Sequence, residues 1–338
     1  MGKPKVAYIS SRESDITLTL DQLAGVDHTF EKHLVRSEGE VIEAIKDADV
    51  VIDEAVPMGR SVIEAMRGGT AIVSLGHGFN HIDDRAATEA GIIVANCAGY
   101  CADEVANHTI LFVLACSKRL VQLNTLVREG RWVPETPWTL LPMPSVYGQT
   151  LGLIGLGNIG RPTARKAKVF GLNVMVYDPY LPPWVADEYE VTTVKTMEEL
   201  AAASDYVSMH VPLNDGTRGL AGESLFRAMK PTAYFINTCR GPTHGEAALI
   251  RALRDGQIAG AAIDVFEQEP TPADNPLLAM DNVIVTPHSA GTSDRSNTAG
   301  RSRLGEETAR ILSGVYPMSI ANPDVLRNIP DRGPATVS

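Results

Sequence analysis

Side chains that could do proton and anion chemistry follow three apolar runs in the second half of the sequence. Arg240 comes after YFINT, Asp264 and Glu269 come after GAAI, and His288 comes after VIVTP. An arginine can hold a carboxylate through two parallel hydrogen bonds. A histidine can exchange a proton near neutral pH, and a carboxylate can fix its tautomer. This set matches hydride transfer between a secondary alcohol and a carbonyl, which needs a proton partner beside an anchored acid group.

Pro287 stands directly before His288. Its ring fixes the backbone angle φ, so the imidazole would project from a rigid part of the chain. The runs before Arg240, Asp264 and His288 are typical of strands in a parallel sheet, whose carboxyl ends form the edge where ligands bind. We therefore expect the guanidinium, a carboxylate and the imidazole at one sheet edge.

A glycine motif precedes these strands. The run LGLIG leads into Gly155, Gly157 and Gly160, spaced as G-x-G-x-x-G, and a helical pattern follows. The first glycine permits a tight turn, the second lets a pyrophosphate approach the backbone, and the third lets helix and strand pack closely. Asp178 ends the next apolar run, about 20 residues later, where an acid would bind the ribose hydroxyls. Because this acid would repel a 2′-phosphate, the motif predicts NAD rather than NADP.

Apolar runs alternate with helical patterns along the whole chain. A first series is KVAYIS, DVVIDE, AIVSLG and IIVANC, and a second is LGLIGLG, NVMVYD, YVSMHV, AYFINT, AGAAIDV and NVIVTP. The pattern ADEVANHTILFVLACSKRL between them predicts one long helix. Such alternation predicts α/β architecture with parallel sheets covered by helices on both faces. The proline-rich stretch 133–148 is expected to be a loop or arm, and 331–338 a frayed tail.

Composition limits the partners. The 338 residues include 30 Lys and Arg against 41 Asp and Glu, a net charge of −11. This balance argues against nucleic acid or an anionic membrane as a partner. The four cysteines are too few and too irregularly placed for a zinc site, so no metal is expected and they are interpreted as free thiols. Without an apolar signal core or spanning stretch, the cytoplasm is the expected location.

These motifs together resemble the D-isomer-specific 2-hydroxyacid dehydrogenase family. The matching stretches are LGLIGLGNIG, HVPLNDGTRGL, MKPTAYFINTCRG, DVFEQEP and TPHSAG. The resemblance implies two doubly wound domains, with a Rossmann-type NAD-binding domain, 101–292, inserted in a flavodoxin-like substrate domain, 1–100 and 293–330. It also implies a homodimer and a substrate that is a small 2-hydroxy or 2-keto acid. The stretches NCAGYCADEVANHT and YDPYL lean towards the branch of C-terminal-binding-protein-like dehydrogenases.

The resemblance also assigns roles to single residues. It implies that Arg240 binds the substrate carboxylate, that Glu269 orients His288, and that His288 donates the proton during reduction. It implies that Asp264 contacts the nicotinamide carboxamide and that backbone near Leu75, Gly76 and His77 meets the substrate carboxylate. The remaining expected cofactor contacts are Thr109, Asn158, Ile159, His210, Val211, Pro212, Thr238, Ala290 and Gly291.

Two other functions fit the same sequence. One is an NAD-sensing interaction protein, as in the corepressor branch, which also keeps Arg240, Glu269 and His288. The other is a phosphite-type dehydrogenase, although such enzymes carry a lysine where this chain has His77. His77 could reach a second anionic or polar group of the substrate, or it could be a solvated loop residue.

Overall fold

The computed structural model describes residues 2–135, 138 and 140–329. Within these residues the chain forms two compact units, one from residues up to 101 together with those from 293 onward, the other from residues 102–292. Each unit has its own all-parallel sheet. The predicted class, two doubly wound α/β sheets, is confirmed. The division of substrate and NAD binding between the two ranges stays a prediction.

The first unit has a five-stranded sheet in the order β2-β1-β3-β4-β5, the flavodoxin-like order. Its strands are β1 (Lys5–Ser10), β2 (Thr29–Leu34), β3 (Val50–Glu54), β4 (Ala71–Ser74) and β5 (Ile93–Asn96). Its helices are α1 (Thr17–Leu23), α2 (Glu38–Ile45), α3 (Arg60–Ala65), α4 (Asp84–Glu89) and α12 (Asp294–Leu312), the last in the C-terminal segment.

The second unit has a seven-stranded sheet in the order β12-β11-β10-β9-β6-β7-β8, a Rossmann order with one added edge strand. Its strands are β6 (Thr150–Ile154), β7 (Asn173–Tyr177), β8 (Thr192–Thr193), β9 (Tyr206–Met209), β10 (Tyr234–Asn237), β11 (Gly260–Ile263) and β12 (Val283–Val285). Its helices are α5 (Ala102–Ser117), α6 (Leu120–Arg128), α7 (Gly160–Val169), α8 (Pro183–Tyr189), α9 (Met197–Ala203), α10 (Glu223–Ala228) and α11 (Glu246–Arg254).

Burial explains why the central strands were evident in the sequence. Strands such as β4, β9 and β11 are buried along their whole length, because helices cover both faces of the sheet. The edge strand β2, TFEKHL, has no fully buried residue, and its polar composition gave no apolar run to detect. Strand β12 is also an edge strand and is only partly buried.

The long helix expected over residues 102–120 is interrupted. Arg119 adopts a left-handed conformation with φ of 47°, and α6 leaves at an angle of 63° to α5. In the part of the chain that the structure describes, no single helix is long and apolar enough to cross a membrane. The bent pair α5 and α6 meets the length and composition criteria only when its two helices are taken together.

Part of the predicted proline-rich loop and the predicted tail cannot be compared with the structure. Thr136, Pro137 and Thr139 lie outside the described residues, as do residues 330–338. Around the first gap, Trp132 and Trp138 are exposed over 69% and 71% of their surfaces. Large aromatic surfaces of this kind are often binding surfaces.

Candidate active site

His288 and Glu269 form a hydrogen-bonded pair at the carboxyl edge of the seven-stranded sheet. The distance between His288 Nδ1 and Glu269 Oε2 is 2.7 Å. Burial raises the pKa of Glu269, but the hydrogen bonds from His288 and from the Phe266 backbone N–H lower it more, so its net pKa lies below the usual range. Glu269 is therefore a carboxylate at neutral pH, and it holds the imidazole through Nδ1. The other ring nitrogen, Nε2, is then the atom that can exchange a proton with a ligand.

The backbone of His288 is held in an uncommon conformation. Its φ is 51°, in the left-handed region that non-glycine residues rarely adopt. The His288 N–H donates to the Asp264 carbonyl oxygen at 2.8 Å. The Asp264 carboxylate is fully buried and accepts the backbone N–H groups of Ser289 and Ala290 and the hydroxyl of Thr286. The segment that carries the imidazole is therefore wrapped around one carboxylate, as expected for a strained residue kept for a function.

Arg240 lies after β10, the strand next to β11. Its positive charge contributes to the lowered pKa of Glu269, so the guanidinium is close enough to act electrostatically on the His288–Glu269 pair. The guanidinium Nη1 donates to the carbonyl of Cys239 at 2.6 Å. Gly241 follows, and a Cβ there would lie 1.8 Å from the carbonyl oxygen of Phe266. Only glycine lets the Arg240 turn approach the segment that leads to Glu269 so closely.

Asn237 organises the turn that presents Arg240. Its Nδ2 donates to the Arg240 carbonyl at 3.0 Å and to His244 Nδ1 at 2.9 Å, and its Oδ1 accepts the Cys239 backbone N–H at 2.9 Å. Burial raises the pKa of the Cys239 thiol, which disfavours the reactive thiolate and supports the interpretation of Cys239 as a small packing residue. The sequence signal for this turn is the Asn at the end of β10, because Asn side chains commonly bond to the backbone of a following turn.

The glycine motif forms the turn between β6 and α7. Gly155 has a φ of 96°, and a Cβ there would lie 2.6 Å from the carbonyl oxygen of His210. A Cβ on Gly160 would lie 2.5 Å from the Gly155 carbonyl oxygen. By contrast, a Cβ on Gly157 would meet no atom within 4 Å. Two glycines are thus required by packing, and the middle one faces open space.

The open space at Gly157 has the properties of a phosphate cradle. Among the described residues, the backbone N–H groups of Gly157, Asn158 and Ile159 have no hydrogen-bond acceptor, and they lie at the start of α7, where the helix dipole is positive. The Asp178 carboxylate accepts the backbone N–H groups of Leu156 and Tyr180 at 2.9 and 3.0 Å. It thereby stands at the end of β7, beside the glycine turn, as a ribose-binding acid would.

His210 lies where the strand order of the sheet reverses, between β9 and β6. Its Nε2 bonds to Ser208 Oγ at 2.9 Å, whereas its buried Nδ1 has no partner in the described part of the chain. Burial lowers the pKa of His210 to about 4, so the ring is neutral. A buried polar atom without a partner at this reversal point fits a bound nucleotide, which would supply the missing partner.

Other predicted cofactor contacts cluster in the same unit. Thr109 Oγ1 and Thr238 Oγ1 are 3.1 Å apart, which joins α5 to the end of β10. Ala290 belongs to the segment around Asp264. Of the remaining predicted positions, Val211 and Pro212 follow β9, and Gly291 follows Ala290.

The predicted carboxylate loop of the substrate domain belongs to the first unit and follows β4. Gly76 has a φ of 137°. His77 accepts hydrogen bonds from Asn96 Nδ2 at its carbonyl, at 2.6 Å, and from the Gly99 N–H at Nδ1, at 3.2 Å. His77 is thus part of a folded loop, which weakens its interpretation as a merely solvated residue. Leu75 donates its backbone N–H to the Asp53 carbonyl at 2.8 Å.

A pair formed by the buried Asp53 and the half-buried His81 supports this loop, and it was missed in the sequence. His81 Nε2 lies 2.6 Å from Asp53 Oδ2, and Ser74 Oγ donates to the same oxygen at 3.0 Å. Asp53 lies on β3, one residue before its end, and Ser74 ends β4, so the pair depends on which strands are neighbours. Strand order cannot be read from spacing along the chain, and no local signal pointed to this pair.

Comparisons with known proteins identify the family of this chain. Residues 110–290 match the profile of the D-isomer specific 2-hydroxyacid dehydrogenase, NAD binding domain. The chain is 35% identical over 313 residues to a glyoxylate reductase of Korarchaeum cryptofilum, covering 90% of this chain and 93% of that protein. It is 38% identical over 292 residues to a D-3-phosphoglycerate dehydrogenase of Methanocaldococcus jannaschii, covering 86% of this chain but only 54% of that longer protein.

A solved structure shows the same fold. The NADPH-dependent glyoxylate/hydroxypyruvate reductase of Sinorhizobium meliloti, in complex with NADP and malonate, superposes with a TM-score of 0.83. The two chains are 26% identical, and the alignment covers 95% of this chain and 97% of that one. The leaning towards one branch of the family stays a prediction. With the domain match, the full-length relative and the sheet-edge geometry together, the chain belongs to the D-isomer-specific 2-hydroxyacid dehydrogenase family.

Proposed function

We propose that this protein interconverts a small D-2-hydroxy acid and the corresponding 2-keto acid, with NAD as the cofactor. The observation that carries the proposal is the 2.7 Å contact between His288 and Glu269 at a sheet edge where the charge of Arg240 also acts. Purified protein is expected to oxidise NADH in the presence of at least one small 2-keto acid and not in its absence.

The residues around the glycine motif would hold the cofactor. The N–H groups of Gly157, Asn158 and Ile159 are suited to the pyrophosphate, Asp178 to the adenosine ribose, and the His210 segment to the dinucleotide where it crosses the sheet. When bound, the nicotinamide ring supplies or accepts the hydride.

The protein's own side chains would anchor the acid and move the proton. The guanidinium of Arg240 would bind the carboxylate of the keto acid and polarise the neighbouring carbonyl. In the reducing direction His288 would donate the proton on Nε2 to the carbonyl oxygen, while its Nδ1–H stays on Glu269. In the oxidising direction Nε2 would take the hydroxyl proton. Glu269 would act by orienting the imidazole and by compensating its positive charge.

We assign substrate binding to the first unit and NAD binding to the second. The folded loop of Leu75, Gly76 and His77 supports the first assignment, and the domain match over 110–290 supports the second. Two of the compared relatives carry names that indicate small keto acids such as glyoxylate and hydroxypyruvate, so that size of substrate is proposed here.

Asp178 is expected to make NADH the preferred cofactor over NADPH. Its carboxylate would lie beside the ribose, where a 2′-phosphate would meet a like charge, and such juxtapositions cost several kcal/mol. Replacing Asp178 by Asn removes the charge but keeps an acceptor for the Leu156 N–H. The ratio of kcat/KM for NADH to that for NADPH should fall by at least about tenfold in Asp178→Asn.

A matched control for this prediction is Asp187→Asn, which changes an exposed acid on α8. In that variant the ratio of kcat/KM for NADH to that for NADPH should equal the ratio of the unmodified protein. Equal use of NADH and NADPH by the unmodified protein would remove the proposed role of Asp178.

A homodimer is also proposed, through the apolar surface of α6 and the segment after it. Leu120, Val127, Trp132 and Val133 are each more than half exposed, which is unusual for a contiguous segment of a monomer. The variant Val127→Glu should shift the molar mass measured by light scattering from dimer towards monomer. The control Val169→Glu, on α7, alters a valine that is 84% exposed and should remain dimeric. If light scattering gave a monomeric molar mass for the unmodified protein, the proposal of a homodimer would be contradicted.

The four cysteines are free and buried, which supports the expectation of a reducing compartment such as the cytoplasm. The expected lack of nucleic-acid and membrane partners stays a prediction from the net charge.

A further inference from the structure

A chain of three side chains connects helix α5 to the segment that carries His288. His108 Nε2 lies 3.1 Å from Thr286 Oγ1, and Thr286 Oγ1 lies 2.6 Å from Asp264 Oδ1. Neither His108 nor Thr286 has a role in the proposed reaction. The His108 ring packs edge-on against Phe112, one turn further along α5, with 4.5 Å between ring centroids, so its position is fixed from both sides.

Counting the protons in this chain determines its direction. The Asp264 carboxylate accepts the N–H groups of Ser289 and Ala290, and its short contact with Thr286 makes it the acceptor of the hydroxyl proton as well. A threonine hydroxyl has one proton to donate, so its oxygen must accept from His108. The neutral His108 ring must therefore carry its proton on Nε2.

The environment of His108 favours the neutral ring. Burial lowers the pKa of His108, and the nearby negative charge of Asp264 opposes this effect only in part. At neutral pH the ring then has one N–H group. That group is committed to Thr286, and Nδ1 carries the lone pair.

The end of this chain lies at the backbone of the proton-transferring residue. Thr286 is two residues before His288, and the His288 N–H bonds to the backbone carbonyls of both Asp264 and Thr286. The left-handed φ of His288 persists only if its surroundings hold it there. Glu269 holds the imidazole ring, whereas the hydroxyl of Thr286 and the carboxylate of Asp264 hold the backbone that carries it.

We propose that His108 is a positioning residue, whose Nε2–H fixes the Thr286 hydroxyl on Asp264 and thereby keeps His288 in place for proton transfer. This inference rests on the proposed function of His288. Helix α5 would then support the reacting histidine through Thr286, in addition to contacting β10 through Thr109.

Four variants test the hydrogen-bond requirement. His108→Leu and Thr286→Val remove the chain and should each lower kcat by about 2- to 10-fold, the size of one net hydrogen bond, with the KM for the keto acid unchanged. His108→Gln offers an amide N–H near the position of Nε2, and Thr286→Ser keeps the hydroxyl, so both should restore most of kcat. The double variant His108→Leu/Thr286→Val should be no slower than the slower single variant, because both remove the same chain.

A merely structural role would give a different pattern. Equal losses in His108→Leu and His108→Gln, or additive losses in the double variant, would overturn the proposal. Melting temperatures of all variants identify any that fail to fold, in which case the Thr286→Ser and Thr286→Val pair decides. An equal kcat in that pair would also overturn the proposal.

The tautomer of His108 provides a readout that does not depend on activity. In the unliganded protein, two-bond ¹H–¹⁵N spectra of the imidazole rings, assigned with His108→Gln, should show the proton on Nε2 at neutral pH. A proton on Nδ1 would overturn the proposal. If the protein instead reduced no keto acid but showed the Nε2–H tautomer, the proposed reaction would fail while the predicted hydrogen-bond chain stood.

Discussion

The variant His288→Ala is expected to lower kcat for keto-acid reduction by at least about two orders of magnitude, the usual size of a general acid–base contribution. The reason is that His288 is the group on this sheet edge whose Nδ1 is held by a carboxylate while Nε2 can serve a ligand. Binding of NADH should change little, because the glycine turn and Asp178 are untouched. Single-turnover rates and NADH fluorescence titrations separate these two effects.

A second histidine–glutamate pair offers a matched control for this prediction. His33 Nε2 lies 3.4 Å from Glu31 Oε2 on the edge strand β2 of the first unit. Unlike His288, His33 makes no hydrogen bond to the neighbouring glutamate through this nitrogen. The variant His33→Ala removes an imidazole outside the proposed site and should keep the activity of the unmodified protein. If His288→Ala also kept it, His288 would not be the proton donor and the proposed mechanism would have to be abandoned.

Arg240 is expected to show the second large effect, in kcat/KM. The variant Arg240→Gln removes the charge that would anchor the substrate carboxylate and polarise the carbonyl, and the loss of one such preorganised group costs about 10²- to 10³-fold. Arg240→Lys should recover only part of this loss, because an ammonium group cannot make the paired, planar contact of a guanidinium. Initial rates over a range of keto-acid concentrations measure both variants.

The control for Arg240 is an arginine of the same unit. Arg251 on α11 is exposed and forms an ion pair with Glu223, and Arg251→Gln should leave kcat/KM unchanged. An Arg240→Gln protein whose kcat/KM for keto acids equalled that of Arg251→Gln would show that the substrate carboxylate is bound elsewhere.

The sequence predicted the sheets well where strands are buried on both faces. Strand β1 occurs over the predicted residues. The runs leading to Arg240 and His288 are β10 and β12, which lie on either side of β11 in one parallel sheet and end at the same edge. Strand β2 was missed because its polar, exposed residues break the apolar pattern. The interruption at Arg119 was missed because a left-handed arginine leaves no composition signal, unlike a glycine or proline.

The candidate site was predictable as a set of residue types, but its supports were not. The glycine spacing pointed to the turn that the structure forms between β6 and α7, and the stretch before His288 pointed to the sheet edge where His288 contacts Glu269. The roles of Thr286 and His108 depend on a contact between residues 178 positions apart, which only the fold creates. Asp264 was expected to contact the cofactor, whereas its oxygens bind the segment around His288. A contact between Asp264 and the carboxamide stays a prediction.

The central claim is that Arg240, Glu269 and His288 reduce a small 2-keto acid with NADH. The most direct measurement is NADH oxidation by the purified protein over a panel of glyoxylate, pyruvate, hydroxypyruvate, and branched and aromatic 2-keto acids, with chiral analysis of the product and with phosphite and NAD as a separate arm. The account predicts reduction of at least one keto acid to its D-hydroxy acid, and no such reduction by His288→Ala. Formation of an L-product, or activity confined to phosphite, would contradict it.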